Sequence, residues 1–461
     1  MQQRKRINRE HAPGKENEKG QGKMKTSLLL LAALTFLLAG CSSADNQNDS
    51  AANKASSSNS SNTEARNNSS ASNRGEATTN SSSNDRADSS VSEEPAHDTD
   101  DSPIDKDETT PPGSQYDDSQ AGQLTAGESD DLTSWKEWVR LLNSGEGREL
   151  QSYWSVFPQN RLEVVVTGGG KPVSDAEVSL VDDDGDTVWE SRTNIDGEAS
   201  AYAGLFDEQQ NQERYGVIIR SGNQEKQYEN VQIPRGSALR VDLNEQVKPS
   251  LGVDLMLVVD TTGSMQDELD FLKSELKDVV ARVLKNNGQQ LDIQVSTNFY
   301  RDRSDKYLVK DYPFTKDIDT AVKQISQQEA AGGGDFPEAV DEALENAIDD
   351  HKWSGDARAR LLFLVLDAPP HHERKVTKRI HELMESAAAE GIRIIPIASS
   401  GVDVQTEYLM RFMATATGGT YLFLTDHSGI GNDHMEPAVG EYEVKRLNDL
   451  LVEVISRYTS E

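Results

Sequence analysis

The stretch Val253-Asp254-Leu255-Met256-Leu257-Val258-Val259-Asp260-Thr261-Thr262-Gly263-Ser264 decides the fold. A nearly unbroken apolar run that ends on a carboxylate and turns through small hydroxyl residues is a strand buried on both faces, with a polar loop at its carboxyl end. Working outward, Leu269, Leu272, Leu276, Val279, Val280 and Val283 recur at helical spacing, which predicts an amphipathic helix directly after that loop. Further buried strands are expected at 291–299, 361–366, 392–397 and 421–424, with 307–314 as an edge strand. A last helix carries Val444, Leu447, Leu450, Leu451, Val454 and Ile455. Buried strands alternating with helices predict an α/β fold, a doubly wound and mostly parallel sheet, over 251–461.

In sheets of this kind ligands gather beyond the carboxyl ends of the strands. The residues expected there are Asp260-Thr261-Thr262-Gly263-Ser264, then Arg301-Asp302, then Asp367. Asp260, Thr262 and Ser264 alternate, so one carboxylate and two neutral hydroxyls come within reach of a single ion as the chain turns into its helix. Hard oxygen donors without His or Cys favour Mg²⁺ or Mn²⁺, with Ca²⁺ a poorer fit. Neutral hydroxyls leave such an ion underneutralised, hence electrophilic toward an incoming Asp or Glu.

This arrangement resembles the metal-ion-dependent adhesion site of von Willebrand factor A domains, whose Asp-x-Ser-x-Ser motif stands here as Asp260-x-Thr262-x-Ser264. The resemblance covers about 253–458 and implies that Asp260, Thr262, Ser264 and Asp367 contact a metal directly or through water. In that family a ligand threonine usually follows a Gly-Gly pair. Here the loop reads Gly332-Gly333-Gly334-Asp335-Phe336-Pro337-Glu338, with glycine at the threonine's place. Asp335 either replaces that ligand or, as Asp-x-x-Glu ahead of 339–347, forms a helix capping box; both readings stand.

Two further loops carry histidines, Pro370-His371-His372-Glu373 and the 426–436 segment with His427 and His434. Neither has the His-Glu-x-x-His spacing of a zinc hydrolase. His371 and His427, with Arg301 and Asp302, are expected to shape the rim and tune partner selectivity. A serine nucleophile at Ser264 lacks Gly-x-Ser-x-Gly. No enzymatic role is expected, although a metal-dependent hydrolase using the His371 and His427 loops, or a structural envelope protein whose site holds no ion, are the competing classes.

Upstream, 160–248 reads as short strands divided by Gly, Asp and Pro turns, a small antiparallel sandwich. Lys171-Pro172-Val173-Ser174-Asp175-Ala176-Glu177-Val178 and Thr193-Asn194-Ile195-Asp196-Gly197 resemble the carboxypeptidase regulatory-like (transthyretin-like) family, which implies a spacer or binding module. Asp182-Asp183-Asp184 is read as a solvated hairpin tip rather than a calcium loop. Within 131–159, Leu132, Trp135, Trp138, Val139 and Leu142 predict a helix that docks on the following domain and stops at Asn143-Ser144-Gly145.

Residues 42–130 are Ser, Asn, Asp, Thr and Ala with few large apolar side chains and are expected to be a disordered linker, reaching on the order of 50 Å for roughly 90 residues. Before it, Met24-Lys25, the apolar 28–36 and Leu38-Ala39-Gly40-Cys41 read as a secretory signal too short to span a bilayer. The segment resembles the lipobox of bacterial lipoproteins, which implies cleavage before Cys41, lipidation of its thiol and anchorage on the extracytoplasmic face of a membrane. Translation is expected to begin at Met24.

Lys and Arg number 47 against 79 Asp and Glu, a formal charge of −32. Without a basic stripe the chain is no nucleic-acid binder. The expected function is that of a lipid-anchored surface protein that captures the acidic side chain of a protein partner through Mg²⁺ or Mn²⁺.

Overall fold

The computed structural model of the chain describes residues 120–209, 212–286, 290–434, 437–438 and 440–460, all within one folded unit. The chain enters it through strand β1 (Thr125–Ser129) and two helices, α1 (Trp135–Leu142) and α2 (Gly145–Trp154). Next come β2 (Arg161–Gly168), β3 (Lys171–Pro172), β4 (Glu177–Val181), β5 (Thr187–Arg192), β6 (Glu198–Tyr202), β7 (Arg214–Ser221), β8 (Gln224–Gln232) and β9 (Leu239–Asp242). They make two four-stranded sheets, one of β3, β2, β6 and β9 and one ordered β5-β4-β7-β8. Alternation with period two buries Leu162, Val164 and Val166 of the first in one core with Val178, Leu180, Val217 and Ile219 of the second. Pairing is antiparallel except between β2 and β9, which run parallel. The Asp182-Asp183-Asp184 tip caps itself: Asp182 Oδ1 accepts the amides of Asp184 and Asp186 at 3.0 and 2.9 Å.

The remaining strands are β10 (Gly252–Asp260), β11 (Asp292–Tyr300), β12 (Val309–Lys310), β13 (Ala359–Leu366), β14 (Ile392–Ala398), β15 (Tyr421–Leu424) and β16 (Lys445–Arg446). With β1 they form an eight-stranded sheet ordered β12-β11-β10-β13-β14-β15-β1-β16, whose five central strands are parallel. Parallel neighbours need crossovers. These contain α3 (Gln266–Asn286), α4 (Ile318–Ser326), α5 (Val340–Glu345), α6 (Arg374–Glu390) and α7 (Val404–Thr417), and α8 (Leu447–Thr459) follows β16. Along β10, Val253, Leu255, Leu257 and Val259 share a core with Leu272 and Leu276 of α3 and Leu451 and Ile455 of α8. Met256 and Val258 face the opposite core, with Leu344, Met384 and Phe412. Both faces of the sheet are therefore covered, as the apolar run at 253–259 requires.

Three boundaries differ from the sequence reading. Strand β1 falls inside the 42–130 expected to be linker, yet Leu124 and Ala126 are fully buried and Ala126 pairs with Leu424 of β15. Glu275 of α3 fixes its approach by accepting the amides of Gly122, Gln123 and Leu124 at 2.8, 2.9 and 3.1 Å. The α/β sheet thus begins upstream of 251, and the sandwich is inserted between β1 and β10. Second, Ser144 both follows α1 and caps α2, its hydroxyl accepting from Gly147 N at 2.9 Å. Trp138 packs against Tyr408 and Phe412 of α7, while Trp135 lies beside Tyr202 of the sandwich. Third, the edge strand expected at 307–314 is two residues long, β12. The signal segment, Cys41 and the linker up to residue 119 lie outside the described residues.

The sandwich is held on the α6 and α7 side of the sheet by Asp175 with Arg360 at 2.9 Å and by Tyr202 Oη donating to Thr415 O at 2.8 Å. Where α1 meets α7, the buried Arg411 donates to both oxygens of Asp131 at 2.8 and 2.7 Å, pairs with Glu407 at 3.1 Å, and lies 4.1 Å over the Trp138 ring. Removing one partner of a buried pair strands the other charge in a medium that solvates it poorly. Asp131→Ala leaves Arg411 with Glu407 but without the partner of its other N–H groups, and is expected to destabilise the protein by about 1–3 kcal/mol, read as a lower denaturant midpoint.

Candidate functional site

Parallel pairing places the site. Val259 of β10 lies opposite Val365 of β13, so Asp260 closes one strand and Asp367 follows its neighbour at the same end of the sheet. Asp260 is fully buried and Asp367 is 3 % exposed. Beyond Asp260 the backbone of Thr262 is extended and starts a 3-10 turn, Gly263–Met265, that runs into α3. Thr262 gives both its amide and its hydroxyl to Asp260 Oδ1, at 2.8 and 2.7 Å, and its hydroxyl lies 3.1 Å from that of Ser264. The alternation in the sequence therefore gathers Asp260, Thr262 and Ser264 around one point, with the Ser264 hydroxyl beside Asp367.

The glycine loop crosses the same spot. Gly263 N donates to Gly332 O at 3.1 Å and Ala331 N to Thr261 O at 3.1 Å. Gly332 has φ +87°, and a Cβ there would stand 2.2 Å from Asp305 Oδ1, so only glycine lets this turn close. Asp305 in turn accepts the Gly333 amide at 2.8 Å. Asp335 is exposed on the rim of the cleft that Ser264 and Asp367 also line, and it caps no helix: α5 starts only at Val340, capped by Ala339 without a side-chain bond. The buried carboxylate from this loop is Glu338, 3 % exposed and clipped by its amide to Pro369 O at 2.9 Å.

Three carboxylates thus converge with little to neutralise them. Among the described residues Asp260 Oδ2, Asp367 Oδ1 and Glu338 Oε2 are buried without a well-formed hydrogen bond, with the Tyr300 hydroxyl beside Asp260. Burial raises the pKa of Asp260, and the charge of Asp367 raises it further against the Thr262 hydrogen bonds. Asp367 is raised by burial and by Glu268, against the Ser264 hydroxyl beside it. Burial, and then Asp260, Asp302, Asp367 and Asp305, push Glu338 up to about 9. Tyr300, whose buried hydroxyl adjoins Asp260, is driven well above its ordinary value by burial and by these anions. Anions crowded out of water in this way suit a hard cation, as do the hydroxyls of Thr262 and Ser264. Among the described residues, however, no three His, Cys, Asp or Glu side chains form a metal-holding group by themselves. The available donors are Asp260, Thr262, Ser264 and Asp367, with Glu338 close by and the rest of a shell left to water or a partner.

The expected rim residues divide. Arg301 does not reach the rim: it is buried, donates to Thr261 O at 3.0 Å and Glu329 O at 2.7 Å, and lies over the Tyr307 ring, bracing the loops from within. Asp302 is buried too and is held by His371 Nε2 at 2.9 Å. His427 is exposed and lies away from the cleft lining. The histidine that matters in its loop is His434, which bonds Glu268 at 3.0 Å through Nε2 and Asp426 at 2.8 Å through Nδ1. Glu268, one turn beyond Ser264, also accepts the Ser400 amide at 3.1 Å and so ties two loops to the start of α3. Sequence alone does not give the roles of Glu338, Glu268 and His434: Glu338 reads as half of a capping box, and no periodicity links His434 to Glu268.

Residues 254–429 match the von Willebrand factor A domain family. Over 189 residues the chain is 31 % identical to an ariadne-like RING finger protein of Acanthamoeba polyphaga mimivirus, a match covering 37 % of this chain and 18 % of that protein. The chain thus spans under a fifth of that relative's length. Among solved structures it is similar to the conserved hypothetical protein BatB from Bacteroides thetaiotaomicron, at 16 % identity and a TM-score of 0.32, covering 46 % of this chain and all of the other. The family match covers residues 254–429, under half of the chain, and marks that stretch as a von Willebrand factor A domain.

Burial alone would lower the His434 pKa, but its bonds to Glu268 and Asp426 outweigh that and hold it above the ordinary histidine value. A raised pKa in the fold means that the strap contributes fully below about 6.5 and fades as pH rises through the higher folded value. Amide exchange in 426–434 is expected to accelerate on that alkaline side beyond the intrinsic pH effect, and His434→Gln to abolish the excess.

Proposed function

We propose that the chain is a lipid-anchored surface protein whose von Willebrand factor A domain captures an acidic side chain of a protein partner through a divalent cation. The observation that carries this is the set of buried oxygens of Asp260, Asp367 and Glu338 that lack a well-formed hydrogen bond among the described residues, beside the hydroxyls of Thr262, Ser264 and Tyr300. With no cation, burial and mutual repulsion keep a proton on Glu338, whose pKa is pushed up to about 9, and favour one on Asp260; a bound Mg²⁺ or Mn²⁺ would take the place of those protons. Thr262 and Ser264 would hold the ion without adding negative charge, leaving it attractive to a partner's carboxylate. Asp260, tied to the Thr262 amide, would keep the donors in register. Glu338 takes the place proposed from sequence for Asp335, as the acidic group of the glycine loop nearest the floor.

The site is better suited to binding than to hydrolysis. His371 is committed to Asp302 and His434 to Glu268 and Asp426, so both brace loops. Anchorage follows from the sequence alone, from Cys41 after its apolar segment; among the described residues no helix is long and apolar enough to cross a membrane.

Calorimetric titration is expected to show Mg²⁺ or Mn²⁺ binding that Asp260→Ala abolishes; heat with Zn²⁺ alone, unaffected by Asp260→Ala, would overturn the metal site. Saturation at a hundredfold excess over Kd should stabilise the wild type by about 2.7 kcal/mol, visible as a higher melting temperature that Asp260→Ala does not share. For the anchor, mass spectrometry of the mature chain should find diacylated Cys41 at its N-terminus, and an unmodified Cys41 within a longer chain would refute it.

A further inference from the structure

The floor just described opens into a cleft of about 670 Å³ whose lining includes Ser264, Glu338 and Asp367 below and Asp335, Phe336 and Asp433 above. Three features of its walls remain unused by metal capture. Phe336 presents a large aromatic side chain to solvent, 48 % exposed, although residues on either side of its loop are clamped. Asp335 and Asp433 are exposed and have no hydrogen-bond or ion-pair partner among the described residues. Among the described residues no Lys, Arg or His lines the cleft.

These walls are held in place. The Asp335-Phe336 segment is pinned before it by the Gly333 amide on Asp305 and after it by the Glu338 amide on Pro369. Opposite, Asp433 sits between Asn432, which donates to Asp267 at 2.8 Å, and His434, which bonds Glu268 and Asp426. Gly431 seals the same loop onto α3, where a Cβ would come within 2.4 Å of Glu268 Oε1. Two unpaired anions and a bare phenyl ring are thereby fixed around a floor that, once loaded with a cation, attracts a carboxylate.

A partner whose approaching face is uniformly acidic would be drawn to the ion but repelled by these walls, since charges of like sign placed against one another cost affinity. Resting on the metal-capture reading above, we propose that the cleft takes a protein segment whose ion-binding Asp or Glu is flanked by a Lys or Arg for Asp335 or Asp433 and by an apolar side chain for Phe336. The flanking base sets selectivity and the acid sets the metal requirement. Exposed pairs contribute about fivefold each at most, so the walls select among acidic segments and do not bind by themselves.

The test is selection of a displayed random-peptide library on the full chain in Mg²⁺, with elution by EDTA, repeated on the double variant Asp335→Lys/Asp433→Lys. Both substituted residues are exposed, so the variant should fold, and an unchanged melting profile checks this. The expected result is enrichment of peptides with Lys or Arg within about three residues of an acid, a reach of roughly 10 Å. Enriched peptides should bind the wild type on the order of tenfold more tightly than the variant, the pair made by the flanking base being turned from attraction to repulsion. EDTA-eluted peptides without a nearby base, or the same peptides recovered from wild type and variant, would overturn the selectivity proposal and leave metal capture standing. If EDTA releases no peptide, metal capture of acidic segments fails and the selectivity proposal with it.

Discussion

Everything around the site follows from one constraint: two adjacent parallel strands each deliver a carboxylate to the same end of the sheet, where neither meets water. Register fixes the proximity, since Val259 faces Val365 and the two acids are the next polar residues along. A third, Glu338, arrives from the glycine loop. Like charges buried together are tolerated only if something compensates them. The protein supplies part of that compensation through the Thr262 amide and hydroxyl on Asp260 and through the Ser264 and Tyr300 hydroxyls beside Asp367 and Asp260. Oxygens without a well-formed hydrogen bond at all three carboxylates mark what is left over.

The surrounding loops are arranged as if to keep that geometry from relaxing. His371 on Asp302 and His434 on Glu268 each couple a loop to an element at the floor. Helix α3 carries two of the ties. Glu268 in its first turn gathers the Ser400 and His434 loops, and Glu275, seven residues later and so on the same face, receives the amides through which the chain enters the fold. The entering segment and the site walls therefore hang on one helix. The inserted sandwich packs on the opposite face of the sheet, through Arg360 with Asp175 and Tyr202 with Thr415.

Much of the α/β domain was legible. Long apolar runs bounded by polar loops admit few alternatives, and β10, β11, β13, β14 and β15 fall within a residue or two of where periodicity put them. Elements whose stability comes from their neighbours were not legible. Thr125-Ala126-Gly127-Glu128-Ser129 has no strand signature of its own and becomes β1 because β15 offers an edge to pair with. Strand β8 is polar nearly throughout and is held by its ladder to β7.

At the site the same division holds. Asp260, Thr262, Ser264 and Asp367 could be found from sequence because strand ends and an alternating motif are local, and backbone geometry over a few residues places them. Sequence spacing cannot tell which side chain of an irregular loop turns inward, so it points to Asp335 and His427 while Glu338 and His434 are the more buried of each pair. Arg301 was placed on the rim because a cation after a strand end looks available, yet its N–H groups are spent on the carbonyls of Thr261 and Glu329. What the sequence determined by itself is the α/β order and the residue types at the strand ends, since both follow from periodicity. Which carboxylates meet, and which residues stay free to face a partner, was decided only by tertiary packing, because burial and hydrogen-bond competition join groups far apart in the chain.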